Sequence, residues 1–140
     1  MRIYFDASVI IAALLSPSGG SALLLQYIKT GKIHGIISQT VVEEVLSKTK
    51  KLKKTEAELE QFITTSNFIV RRHILIEETE QYQGMIAVED AHLIAGAHLT
   101  KCSHLVTLDK QHLLRVTIQK KFLPLKILSP KELLEEIVLL

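Results

Sequence analysis

The chain opens with an apolar, β-prone run from Arg2 to Phe5, and the longer apolar stretch Val9 to Leu15 follows almost at once. The first run predicts a strand. Ser8 to Leu15 and Ser21 to Thr30 predict helices, separated by "SPSGG", a segment made of turn-forming residues. "HGIIS" predicts a second strand ending at Ser38. A helix is expected from about Val41, with Thr40 as its N-cap and Glu43 three residues on completing a capping box. Glu56 to Ser66 places Leu59, Phe62 and Ile63 on one helical face, and Val88 to Leu99 also reads as helix. "FIVRRHILI" reads as extended, and "HLVT" and "LPLKILS" as further strands. The last helix carries a full start signal: Ser129 at the N-cap, Pro130 at the first helical position and Glu132 closing a capping box.

Strands alternating with helices argue for an α/β fold whose parallel sheet is covered on both faces. The strands agree, because "IYF", "GII" and "HLV" are continuous apolar runs rather than alternating ones. In open parallel sheets, ligands bind beyond the carboxyl ends of the strands. The residue just past each strand is therefore the place to look for chemistry. No linker, repeat or low-complexity tract interrupts the 140 residues, so residues 1–140 read as one domain.

Composition narrows this picture only a little. An apolar fraction of 47% suits a globular core, while a net charge of +2 is too small to demand a nucleic-acid partner. That small net charge hides basic runs at Lys48 to Lys54, Arg71-Arg72 and Lys120-Lys121, each expected first as a solvated face. The lone Cys102, the absence of a leader pattern and the lack of a membrane-length apolar stretch suggest a cytoplasmic protein with no membrane partner. His98 and Cys102 are four apart, yet no further ligands stand at zinc-like spacing. "SPSGG" lacks the Lys-Ser/Thr of a P-loop, and no G-x-S-x-G elbow occurs. His92 is expected at the surface, free to face a partner.

The carboxylates change the picture more. Asp6 follows the first strand, and "HLVT" runs through Leu108 into Asp109. Asp90 lies in the first turn of the preceding helix, and "VVEEVL" supplies Glu43 and Glu44 after the second strand. Each has a plainer reading: Asp6 as a helix cap, Asp90 as a favourable helix N-terminal charge, Asp109 as a turn residue. Brought to one sheet edge they would resist joint ionisation. A hard divalent cation such as Mg²⁺ or Mn²⁺ relieves that conflict by taking oxygen ligands.

"IYFDASVIIAAL", "ISQTVVEEVL", "VEDAHLIAGAHL" and "HLVTLDKQHL", in this order, resemble the PIN domain. The likeness is strongest to the small prokaryotic PIN proteins, many of which are ribonuclease toxins paired with an antitoxin. It runs from Ile3 to about Leu128. The resemblance implies a three-layer α/β/α sandwich around a mainly parallel sheet of four to five strands. It carries the family's acidic quartet to Asp6, Glu44, Asp90 and Asp109, and its hydroxyl positions to Ser8 and Thr107. Glu44 is preferred to Glu43 because it stands six residues after Ser38, the family's usual spacing, and because Glu43 is already assigned to the cap. Asp90 is likewise preferred to Glu89, which suits a helix N-terminus.

The implied activity is that of a metal-dependent endoribonuclease, with Asp6, Asp90 and Asp109 holding Mg²⁺ or Mn²⁺ and Glu44 completing the shell or orienting water. Lys48, Lys50, Lys51, Lys53, Lys54 and Lys110 are candidates for an RNA track. An antitoxin and a second copy of the chain are the implied protein partners. Two alternatives stay open: a non-catalytic RNA-binding or scaffold PIN protein, and a housekeeping RNA-processing nuclease. A phosphatase with a nucleophilic aspartate is disfavoured, since "DAS" places Ser8 where such enzymes carry a second aspartate.

Overall fold

Ile3, Tyr4 and Phe5 are wholly buried, which is what a central strand flanked on both faces requires. This strand, β1 (Arg2–Phe5), leads into α1 (Ala7–Leu15) and α2 (Gly20–Lys29). After β2 (His34–Ser38) come α3 (Gln39–Leu46), the single turn α4 (Thr49–Leu52) and α5 (Glu56–Thr65). β3 (Ile69–Arg71), α6 (Ile76–Thr79) and α7 (Ala91–Leu99) follow, with 3₁₀ turns at Glu80–Tyr82 and Val88–Asp90. The chain closes with β4 (His104–Val106), α8 (Val116–Lys121), β5 (Lys126–Leu128) and α9 (Pro130–Val138). The computed structural model describes residues 1–140.

All five strands are parallel, in the order β3-β2-β1-β4-β5. The chain thus winds outward from β1 to one edge, then returns to build the other. Right-handed crossovers put α1 to α5 on one face and α6 to α8 on the other. α9 comes back to the first face, where it packs on α2. The result is a three-layer α/β/α sandwich, as the resemblance implies. No single helix is long and apolar enough to cross a membrane.

Two glycines let the layers approach. A Cβ at Gly96 in α7 would lie 2.3 Å from the Tyr4 ring, so only glycine admits that ring beneath the helix. At Gly35 in β2, a Cβ would strike Ile28 at 2.4 Å and Phe68 at 3.0 Å on the other face. Phe68 meets Phe5 edge to face at a centroid distance of 5.2 Å.

Several expectations need correction. α3 begins at Gln39, and its cap is Ser38, whose Oγ accepts from Val41 N at 3.4 Å. Thr40 instead accepts from Ile74 N at 3.0 Å, and the Glu43 carboxylate lies 2.6 Å from His73 Nε2, so no Thr40–Glu43 capping box exists. The chain turns directly from strand to helix, which moves the cap back to the last strand residue. "FIVRRHILI" is extended only at Ile69–Arg71 before α6 begins, and "LPLKILS" pairs only through Lys126–Leu128. α8 had no clear signal in the sequence. The capping box at Ser129 and Glu132 is present as expected.

Candidate active site

Sheet order reverses between β1 and β4, so the carboxyl ends of these two strands open a crevice between diverging connections. Asp6 follows β1 and Thr107 follows β4. The ladder continues past the strands, with Asp6 N donating to Val106 O at 3.0 Å and Thr107 N to Leu128 O at 3.0 Å. These bonds hold both residues still at the rim.

Asp6 occupies the N-cap position of α1, yet its side chain makes no capping bond. Its Oδ2 instead accepts from Thr107 Oγ1 at 2.7 Å and from Ser8 Oγ at 2.9 Å. Both hydroxyls look two ways: Ser8 Oγ accepts from Leu108 N, and Thr107 Oγ1 accepts from Asp109 N, each at 3.1 Å. The helix-cap reading of Asp6 therefore fails on geometry. Ser8 and Thr107 brace a carboxylate that is 8% exposed, leaving its Oδ1 open.

Asp109 is anchored on one oxygen. Its Oδ1 accepts from Gln111 N and His112 N, both at 3.1 Å, while Oδ2 faces His112 Nδ1 at 3.3 Å. It is a turn residue and a site-facing acid at once. Ligand atoms of Asp90, Asp109 and His112 all lie within 4.8 Å of one another. Asp90 stands where the 3₁₀ turn passes into α7.

Glu44 comes from the second turn of α3, and its Oε1 is 2.8 Å from His92 Nε2 on α7. His92 is thus a largely covered residue facing Glu44, not a free surface group; its Nδ1 is buried without a partner. The structure turns Glu43 to His73 instead. His92 and His112 are the site-lining residues that sequence reasoning missed. Their spacing from Asp90 and Asp109 was visible, but a histidine near an acid carries little signal alone.

The acids feel one another. Burial pushes the Asp6 carboxyl above its usual range, with Glu44 adding to the rise; bonds from Thr107 and Ser8 and the nearby His92 oppose it. Burial also raises Asp90, reinforced by Asp109, Glu89 and Asp6 and opposed by His112. Such mutual repulsion is what a cation would relieve. The donors present, carboxylates with one imidazole, fit a divalent ion of the Mg²⁺ or Mn²⁺ class.

The PIN-domain family profile matches residues 2–111. The chain belongs to the PIN-domain family. PIN domains are generally nucleases. No curated protein matches the sequence significantly. Among solved structures, this PIN domain is similar to PAE2754 from Pyrobaculum aerophilum, with a TM-score of 0.66, 16% identity, and coverage of 100% of this chain and 97% of that one. It is also similar to a chain of VapBC2 from Rickettsia felis bound to a DNA fragment from their promoter. There the TM-score is 0.61 at 17% identity, covering 92% of this chain and 98% of that one. At these identities the two structures establish the fold.

Proposed function

We propose that this PIN domain is a metal-dependent endoribonuclease acting as the toxin of a toxin–antitoxin pair. The observation that carries the reading is the closeness of Asp90 and Asp109, whose ligand atoms lie within 4.8 Å and whose charges, with that of Asp6 from the end of β1, oppose one another at Asp90. Asp6, Asp90 and Asp109 would hold Mg²⁺ or Mn²⁺, with Glu44 nearby to complete the shell or orient water. The bound ion supplies Lewis acidity, lowering the pKa of water and offsetting charge on the scissile phosphate. Ser8 and Thr107 keep Asp6 immobile, and His92 steadies Glu44.

Exposed Lys48, Lys50, Lys51, Lys53, Lys54 and Lys110 supply cationic positions for a phosphate backbone. The similar Rickettsia felis structure is a complex bound to promoter DNA, which supports an antitoxin as the protein partner here. The exposed apolar side chains of Val138, Leu139 and Leu140 are compatible with a second copy as another partner.

The test is cleavage of total RNA with Mn²⁺ or Mg²⁺, comparing wild type with Asp6→Asn and mapping the new ends. Attack by water rather than the 2′-hydroxyl gives 5′-phosphate and 3′-hydroxyl ends. Finding 2′,3′-cyclic phosphates, or equal cleavage by both proteins, overturns the reading. Induced expression separates the biological roles: growth arrest by wild type but not Asp90→Asn supports a toxin, and cleavage without arrest supports a housekeeping nuclease.

A further inference from the structure

We infer that His112 is a nitrogen ligand of the metal in this site, and that it biases the site toward Mn²⁺ over Mg²⁺. The inference rests on the metal-site reading above and adds to it a residue outside the acidic quartet.

The geometry comes from the turn after β4. Asp109 Oδ1 is committed to the backbone N–H groups of Gln111 and His112. Those bonds fold the segment back on itself and bring the imidazole beside the oxygen left free. Asp109 Oδ2 and His112 Nδ1 stand 3.3 Å apart. Neighbouring ligands on an octahedral ion with bonds of about 2.1 Å lie about 3 Å apart. The pair thus presents one edge of such a shell, and Asp90 supplies a third donor within 4.8 Å of both.

His112 is also free to serve. Its side chain is 56% exposed, and the one ion pair it makes is with Asp109, itself a member of the cluster. His92 differs in its covering: its side chain is only 14% exposed, its Nε2 is 2.8 Å from Glu44, and its Nδ1 is buried. The two histidines near the site therefore divide the work, one steadying an acid and one left to ligate.

The chemical consequence concerns selectivity. Mg²⁺ strongly prefers oxygen donors and gives up water reluctantly, whereas first-row transition ions accept imidazole. Mn²⁺ shares the octahedral habit of Mg²⁺ and tolerates the nitrogen, so an Asp-Asp-His donor set favours it.

The test uses the full chain and Mn²⁺ alone. Uptake is read from loss of the free-ion electron paramagnetic resonance signal, and ligation from ¹⁴N modulation of the bound ion. Wild type should bind Mn²⁺ with ¹⁴N modulation that persists in His92→Gln and disappears in His112→Gln. His112→Gln should also weaken Mn²⁺ binding by roughly tenfold or more, with a much smaller change for Mg²⁺. His112→Asp should restore uptake without the nitrogen signature and lower the Mn²⁺-to-Mg²⁺ preference. Circular dichroism checks that each variant folds, as the exposure of His112 leads one to expect. Mn²⁺ bound without ¹⁴N modulation, or with modulation unchanged in His112→Gln, overturns the inference while leaving the acidic site standing. No uptake by wild type, or uptake unaffected by Asp90→Asn and Asp109→Asn together, overturns the site itself.

Discussion

The Thr107 hydroxyl donates to Asp6 Oδ2 at 2.7 Å, joining residues 101 positions apart, and accepts from Asp109 N at 3.1 Å. One wholly buried hydroxyl thereby sets the relative placement of two acids. Thr107→Val keeps the shape, removes a bond to Asp6 and strands the Asp109 amide. Leaving buried polar groups unpaired costs about 1–3 kcal/mol, which urea unfolding at neutral pH should show. RNA cleavage should fall at least about tenfold, since misplaced groups lose preorganised electrostatics. Thr107→Ser should recover most of both. A valine variant as stable and active as wild type would refute the bracing role.

Asp90 governs a pH effect. Its carboxyl is raised above the usual range, first by burial and then by Asp109 and Glu89. A raised acid contributes stability that is full below its unfolded pKa and drains away as pH rises through its folded pKa. In the metal-free protein the share of stability contributed by Asp90 should therefore be lost as pH rises above about 4, a difference read between wild type and Asp90→Asn. Relative to wild type, Asp90→Asn should gain melting temperature as pH rises and melt higher at neutral pH. Adding Mn²⁺ should reverse the order, because only wild type keeps the full acid set. Parallel pH slopes for the two metal-free proteins would contradict this.

Packing of α7 on β1 depends on a missing side chain. Gly96→Ala drives a methyl into the Tyr4 ring, and overpacking of this kind costs about 1–3 kcal/mol. Tyr4→Phe should behave differently. The Tyr4 hydroxyl is buried near Ser38 without a well-formed hydrogen bond, and burial pushes its pKa up to about 12. Removing an unpartnered hydroxyl should leave stability unchanged or raised. Calorimetry on both variants checks the pair, and a stable Gly96→Ala would deny the close approach.

At the opposite end of the sheet, His104 Nε2 lies 2.6 Å from Glu136 Oε1 on α9, with Lys126 Nζ at 3.3 Å. Burial pushes the Glu136 carboxyl upward, but His104 and Lys126 outweigh it and hold it below the usual range. A lowered acid contributes stability above its unfolded pKa and loses it as pH falls through the folded one. Glu136→Gln should destabilise the protein at neutral pH, by an amount that starts to shrink as pH falls below about 4.3 and vanishes below the lowered pKa of Glu136. Hydrogen exchange in α9 should rise in the variant first. Equal protection of α9 at neutral pH would exclude the tie.

Much of the fold was legible because buried parallel strands announce themselves as unbroken apolar runs: β1, β2 and β4 all do. The acids at their ends were legible through one topological rule and the order of four motifs. The cap of α3 was not, since Ser38 is both the last strand residue and the first cap, and a Thr40–Glu43 pattern mimics a box. Glu44 was chosen partly for that mistaken reason, yet it is Glu43 that pairs with His73 and Glu44 that meets His92. α8 begins after Arg115 without a side-chain cap, so nothing local marked its start. His92 and His112 were hidden for another reason. Their meaning depends on which acid lies across the crevice, a tertiary fact.

The reversal of strand order between β1 and β4 has a consequence during synthesis. Asp6 and Glu44 leave the ribosome early, but their crevice has only one wall until β4 pairs with β1 through contacts about a hundred residues apart. Contacts of such long range form late, because the loop they close must be ordered first. A growing chain that has not passed Asp109 holds Asp6, Glu44 and Asp90, three of the four acids, and no site. The topology thus makes the acidic crevice a late product of folding, closed only when the first strand finds the fourth.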